Sequence, residues 1–236
     1  AAAAETIRLG HNATVFEAAR AIGGRARAVS GHLPDGSSVL LDNGQHILIG
    51  AYSDTLRLMR LVGVDPGAAL LRLPLRLQFP DGGGLRFPRW PSPLDAAAAI
   101  ATARGWRVAD KLSLLAAAMG WQRAGFICST EVTVAQLCQR VSLRVMQELI
   151  EPLCVSALNT PADRASGQVF LRVMKDSLFG AAGSSNLLLP RTDLSALFPE
   201  AAARWIEARG GQVRLGARVD DVRQPLAYVA GAALRG

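Results

Sequence analysis

Between residues 15 and 28 the chain reads VFEAARAIGGRARA, an apolar run that ends in an acid, Glu17, and is followed by the turn Gly23-Gly24-Arg25. This order narrows the choice of fold. At the end of the second strand of a doubly wound sheet, a carboxylate is placed to accept both hydroxyls of an adenosine ribose. Glu17 has the position for that task. Gly23 and Gly24 allow the backbone to approach a bulky cofactor with no Cβ in the way, and Arg25 can hold a diphosphate or stack on a flat ring. An ordinary strand with an exposed acid and a glycine turn would carry the same residues, so the flanking sequence has to separate the two readings.

Residues 1–9 are alanine-rich and close at Gly10, as a helix does when it ends on a left-handed glycine, and 12–16 then reads as a strand. A helix followed by a strand ending in an acid is the second half of a βαβ nucleotide unit, whose first half is a strand and a G-x-G-x-x-G turn. No glycine precedes Gly10, so the turn that would carry a pyrophosphate at a helix N-terminus is not in this sequence. The expectation is an α/β chain with a partial Rossmann-like domain, truncated at its N-terminus.

With 236 residues, half of them hydrophobic, the chain has enough apolar surface for one large core or two modest ones. Its net charge of +7 is almost wholly arginine, since Lys111 and Lys175 are the only lysines. The arginines are scattered and no basic run alternates with stacking aromatics, which argues against nucleic acid as a partner. Cys128, Cys138 and Cys154 are odd in number and lack C-x-x-C spacing, so neither a disulfide framework nor a metal site is expected. Nothing resembles a signal peptide, and no apolar stretch reaches the roughly 20 residues of a membrane span. A cytoplasmic protein, peripheral at most on the membrane, fits these features.

Further along, 38–41 reads as a strand that delivers Asp42, Asn43, Gly44, Gln45 and His46 to a turn. Ser53 then stands as the cap of a helix through Leu61. Leu73, Leu75, Leu77 and Phe79 alternate with polar residues or proline, the period of a half-buried strand, and 85–88 pairs back as a hairpin. From Leu94 the period becomes helical, with helices expected over 94–103, 108–120, 132–139, 142–150 and 166–178, and another over 193–208. Residues 212–222 return to strand and are expected to rejoin the first sheet. The organisation read from this is a first nucleotide-binding part over 1–66, a mainly helical substrate or cap insert over 67–184, and a second, incomplete nucleotide-binding part over 185–236.

Residues 158–219, together with GGRARA and LDNGQHILIGAYSDTLRLM, resemble the squalene-associated FAD-dependent desaturases, or hydroxysqualene dehydroxylases, within the phytoene desaturase and amine oxidase group of flavoproteins. The resemblance runs from Ala1 to about Arg223, and the family's C-terminal part is expected to be missing. It implies FAD as cofactor and reductive removal of a hydroxyl from a C30 isoprenoid, hydroxysqualene, giving squalene for hopanoid synthesis, with the electron donor unassigned. A carotenoid-type desaturase, or a non-catalytic remnant, is the alternative.

By position, Glu17 resembles the acid on the adenosine ribose, and Gly23, Gly24 and Arg25 the turn along the diphosphate and flavin. Val219 resembles the strand residue whose backbone meets the adenine, and Gly44, Gln45 and His46 the turn facing the isoalloxazine. Read from the residues alone, His46 suits either a satisfied core histidine or a proton donor to a departing hydroxyl. Asp42 and Asn43 suit a polar turn whose side chains bond nearby amides. Arg191 either reaches the cofactor or pairs with Asp193 at a helix start, which Thr192 or Asp193 caps. Because such a substrate lives in membranes, Trp90, Trp106 and Trp121, with Arg86, Arg89, Arg104, Arg107 and Arg123, are candidates for contact with a bilayer surface.

Overall fold

A computed structural model describes residues 1–44, 46–91, 93–223, 226–229 and 232–234. The chain divides into two compact units. Ala1–Leu48, Tyr52–Leu71 and Leu188–Gly236 form the first, and Ile49–Ala51 with Arg72–Leu187 form the second.

In the first unit, the helix Ala2–Arg8 ends before Gly10, which has φ 86°. Strand Thr14–Glu17 follows and pairs in parallel with Gln212–Leu215, setting Glu17 opposite Leu215. Parallel neighbours need a long crossover, and here the helix Pro199–Glu207 runs directly into the second strand. Glu5 receives the guanidinium of Arg8 at 2.6 Å and that of Arg57 at 2.5 Å, tying the first helix to the helix Ser53–Leu61. These two partners, Arg8 foremost, hold the Glu5 carboxyl below its usual range. The core is aliphatic: Leu56 and Met59, one turn apart on their helix, pack with Leu70, Leu188, Leu194 and Leu197.

Several expectations are corrected here. Ser53 is the first helical residue rather than the cap, and Tyr52 before it makes no capping bond. The helix expected over 193–208 is two, Leu194–Leu197 and Pro199–Glu207. Proline disfavours helical backbone in the residue before it, and Phe198 accordingly sits at φ −152°. Only Gln212–Leu215 rejoins the first sheet; Val219–Arg223 pairs antiparallel with Leu226–Val229 in a separate three-stranded sheet.

The strand expected over 73–79 breaks at Pro74, because proline has no N–H to give a ladder: Leu70–Leu73 ends before it, and Arg76–Gln78 begins after it in the second unit. Arg76–Gln78 forms an antiparallel hairpin with Gly84–Arg86. The helices Leu94–Ala101, Val108–Arg123 and Gly167–Leu178 follow the predicted pattern. The segment expected to end at Ile150 instead passes from Leu143–Val145 through a π turn, Met146–Ile150, into a further helix, Glu151–Leu158. Pro152 supplies the reason: its ring would collide with the carbonyl four residues back, and a wider turn just upstream relieves that contact. Asn159, at φ 50°, closes this helix as a left-handed cap, so Asn159 and Thr160 serve the helix exit.

Trp106 and Trp121 are both buried in this unit's core, each 7% exposed. Trp121 meets Phe170 edge-on at 6.2 Å, and the Trp106 indole donates to Glu148 at 2.7 Å. Neither faces a bilayer, which corrects that expectation; Trp90 alone of the three is open, at 57%.

Candidate functional site

The Gly-Gly-Arg turn is built from backbone that only glycine enters easily. Gly23 has φ 112° and Gly24 φ 56°. A Cβ on Gly23 would lie 3.0 Å from the Ala26 carbonyl oxygen and 3.2 Å from Pro199, whereas one on Gly24 would meet nothing within 4 Å. Gly23 is therefore a packing position, and Gly24 presents bare backbone to open space. The turn closes on a bond from the Ala26 amide to the Gly23 carbonyl at 2.9 Å.

The second motif grips the first. Asn43 Nδ2 donates to the Gly24 carbonyl at 3.1 Å while its Oδ1 accepts the Arg27 amide at 3.0 Å. The His46 ring nitrogen Nε2 lies 3.1 Å from the Arg25 carbonyl. A carbonyl only accepts, so Nε2 carries the proton in this contact and Nδ1 is the nitrogen left for other chemistry. His46 is exposed, which corrects the core-histidine reading. Asp42 accepts the amide of Leu194 at 2.9 Å, and Ser195 Oγ accepts the Ala28 amide at 2.9 Å. The expectation that Asp42 and Asn43 serve only their own turn is thus corrected: their partners are 16 to 152 residues distant. Sequence reasoning missed Asn43 and Ser195 as site builders, and the only available signal was the concentration of polar residues after an apolar strand.

Beside these turns lies a groove of about 460 Å³, walled by Asn43, Gly44, His46, Ile47 and Pro190 among others. That volume falls within the range of about 300–1,000 Å³ usual for small-molecule sites. Arg25 is exposed and its guanidinium has no partner among the described residues. Arg27 Nε is buried without a hydrogen bond. Glu17 accepts the Ala19 amide at 2.8 Å through Oε1, and its Oε2 has no partner among the described residues. A free carboxylate oxygen, two underused guanidiniums and an uncovered glycine turn suit a ligand that carries hydroxyls and negative charge, as a dinucleotide does.

The remaining predicted residues make none of these bonds among the described residues. Val219 begins the separate antiparallel sheet, and Gln45 lies outside the described residues. Arg191 makes no ion pair with Asp193 among the described residues; Asp193 instead caps its helix by accepting the Ala196 amide at 2.9 Å. The Arg191 amide donates to the Ala69 carbonyl at 2.9 Å.

The second unit contains an enclosed, wholly apolar cavity lined by Leu75, Phe87, Trp121, Met174 and Phe179 among others. At about 50 Å³ it is far below the volume of a ligand site, so this cavity is no tunnel for a long chain. Among the described residues no helix is long and apolar enough to cross a membrane.

Comparison with known proteins bears on this geometry. Hydroxysqualene dehydroxylase from Sinorhizobium fredii is 26% identical over 213 residues, covering 85% of this chain and 46% of its own length. The hydroxysqualene dehydroxylase of Rhodopseudomonas palustris is 25% identical over 226 residues, covering 92% and 50%. The chain thus spans about half the length of these curated relatives. An oxidoreductase from Methanosarcina mazei superposes with a TM-score of 0.69 at 15% identity, covering 99% of this chain and 54% of that one. A Pyrococcus furiosus protein does so at 0.58 and 14%, covering 97% and 52%. These two show a shared fold. Residues 1–233 match the family described as flavin containing amine oxidoreductase, and the chain belongs to that family.

Proposed function

We propose that this chain forms part of an FAD-dependent oxidoreductase that removes the hydroxyl of hydroxysqualene to give squalene, a step toward hopanoids. The observation that carries the reading is the joined pair of turns, in which Asn43 and His46 hold the Gly23-Gly24-Arg25 backbone beside a groove of ligand size. The similarity to two dehydroxylases supports this choice of substrate.

In this reading Glu17 accepts the ribose hydroxyls through its free oxygen, Arg25 faces the diphosphate, and the bare backbone of Gly24 lets the cofactor approach. Gly44, which lines the groove, would border the flavin ring. A reduced flavin held there would supply a hydride for the carbon that loses the hydroxyl. The departing oxygen needs a proton, and His46 in its doubly protonated form would offer one from Nδ1 while Nε2–H stays on the Arg25 carbonyl, leaving the neutral ring and water.

Binding is tested by titrating FAD with this chain joined to whatever sequence its gene supplies on either side and following flavin fluorescence. Saturable quenching that weakens on Glu17→Gln is expected, and no quenching by the parent chain overturns the cofactor assignment. Turnover is tested on the chain with whatever sequence its gene supplies on either side, given reduced flavin and hydroxysqualene, with the lipids extracted. Squalene is the expected product; conversion of phytoene with no squalene formed overturns the reading.

A further inference from the structure

The hairpin of the second unit sets two like charges face to face. Arg76 pairs in register with Arg86, and Leu77 with Leu85. Alternate residues take opposite faces of a strand, so Leu77 and Leu85 turn into the core while Arg76 and Arg86 share the open face. A bridge between Gly84 and Arg104 brings a third arginine to the same edge. Arg76, Arg86 and Arg104 line one groove of about 280 Å³. None of the three has an ion pair or side-chain hydrogen bond among the described residues. The acid nearest in the hairpin, Asp81, accepts the Gly83 amide at 2.9 Å in the turn.

Like charges directly opposite destabilise a strand pair, so the isolated fold carries a local repulsion that no acid offsets among the described residues. What adjoins the groove suggests what does offset it. Arg86 and Thr102 also border an apolar groove of about 700 Å³ formed by Pro74, Phe87, Pro88 and Trp90, with Arg89 beside it. Trp90 is 57% exposed. Unpaired guanidiniums next to an exposed tryptophan and prolines match the two layers of a bilayer surface, anionic phosphate and the upper acyl region, and the net charge of +7 has the right sign.

We propose that this face docks the chain on membranes containing anionic phospholipid, with Arg76, Arg86 and Arg104 on the headgroup phosphates and Trp90 in the interfacial layer. Guanidinium groups bind phosphate bidentately, which fixes an orientation as well as supplying attraction. This assignment stands on the second unit alone and is independent of the flavin reading.

The test is co-sedimentation of the chain with vesicles of phosphatidylcholine, with and without phosphatidylglycerol. Binding is expected only with the anionic lipid. At about fivefold for each arginine, the triple variant Arg76→Gln, Arg86→Gln, Arg104→Gln should lose affinity on the order of a hundredfold. Trp90→Ala should lose several-fold. A control variant with the same charge removed elsewhere, Arg60→Gln, Arg140→Gln, Arg164→Gln, should bind nearly as the parent does. Relief of the cross-strand repulsion should leave the melting temperature of the hairpin variant unchanged or raised without lipid. If that variant melts lower, the corresponding triple Arg→Lys variant decides: retained binding supports the docking face, and lost binding overturns it. Equal binding to phosphatidylcholine alone, or an equal loss in the control variant, overturns it too. So does binding of inorganic phosphate at the groove with no attachment to vesicles, which would make this a site for a soluble anion.

Discussion

The carboxylate of Asp42 accepts the backbone amide of Leu194 at 2.9 Å, joining the end of a strand to the first turn of a helix 152 residues later. Amides in a first helical turn have no partner within the helix, so this bond satisfies a group that Asp193, already engaged with Ala196, does not reach. Asp42→Ala should cost about 1 kcal/mol, in the range of a lost helix cap. Urea denaturation would show it as a lower midpoint with an unchanged slope.

The two glycines of the turn should respond differently to the same change. Gly23→Ala meets both an unfavourable φ of 112° and a 3.0 Å contact with the Ala26 carbonyl, whereas Gly24→Ala meets only the backbone cost at φ 56°. A loss of about 2 kcal/mol or more is expected for the first and about 1 kcal/mol for the second. Thermal melts give this order, and an FAD titration should find Gly24→Ala impaired beyond its small effect on stability.

Asn43→Ala removes both bonds that span the turn, to Gly24 and to Arg27. Water can replace them because the positions are exposed, so stability should fall by no more than about 1 kcal/mol. The arrangement of the turn is what suffers. FAD affinity should drop at least several-fold while the unfolding midpoint moves little, and an unaltered affinity would separate Asn43 from the cofactor.

Trp106→Phe keeps a ring in the core but withdraws the donor to Glu148, a buried-side bond to a charged group. A cost of about 2 kcal/mol is expected, measured by chemical denaturation.

The cysteines should differ in reactivity and in their contribution with pH. Burial, with the neighbouring Cys154, pushes the Cys138 thiol up to about 12, and burial raises Cys154 as well. In the native state a thiol reagent near pH 8 should label the half-buried Cys128 quickly and the other two only on unfolding. A pKa raised above the unfolded value of about 8.5 means the stabilisation from the neutral thiol is complete below that pH and is lost as pH rises toward 12. Cys138→Ala should flatten that part of the stability profile.

Local chemistry was readable in the order of residues. Alternation and helical period located Thr14–Glu17, the hairpin of Arg76–Gln78 with Gly84–Arg86 and the long helices of the second unit, because strands and amphipathic helices bury one face at a fixed repeat. Breaks were less legible. Pro74 and Pro199 each divided an element that the apolar pattern carried straight through, while at Pro152 the chain stays helical past the expected end at Ile150 by way of a wider turn, since periodicity registers which side is buried and not which carbonyl a ring strikes.

For the candidate site, the sequence by itself determined which residues have the chemistry: a carboxylate after a strand, paired glycines, and a polar turn at 42–46. It also determined, through the glycines, where the backbone could take φ values closed to other residues. Only the tertiary structure decided that Asn43 and His46 brace the glycine turn, that Asp42 answers to Leu194, and that two of the three tryptophans lie in a core. The reason is physical: a hydrogen bond or a packed ring depends on distances between segments far apart along the chain, and those distances exist only once the hydrophobic cores have closed.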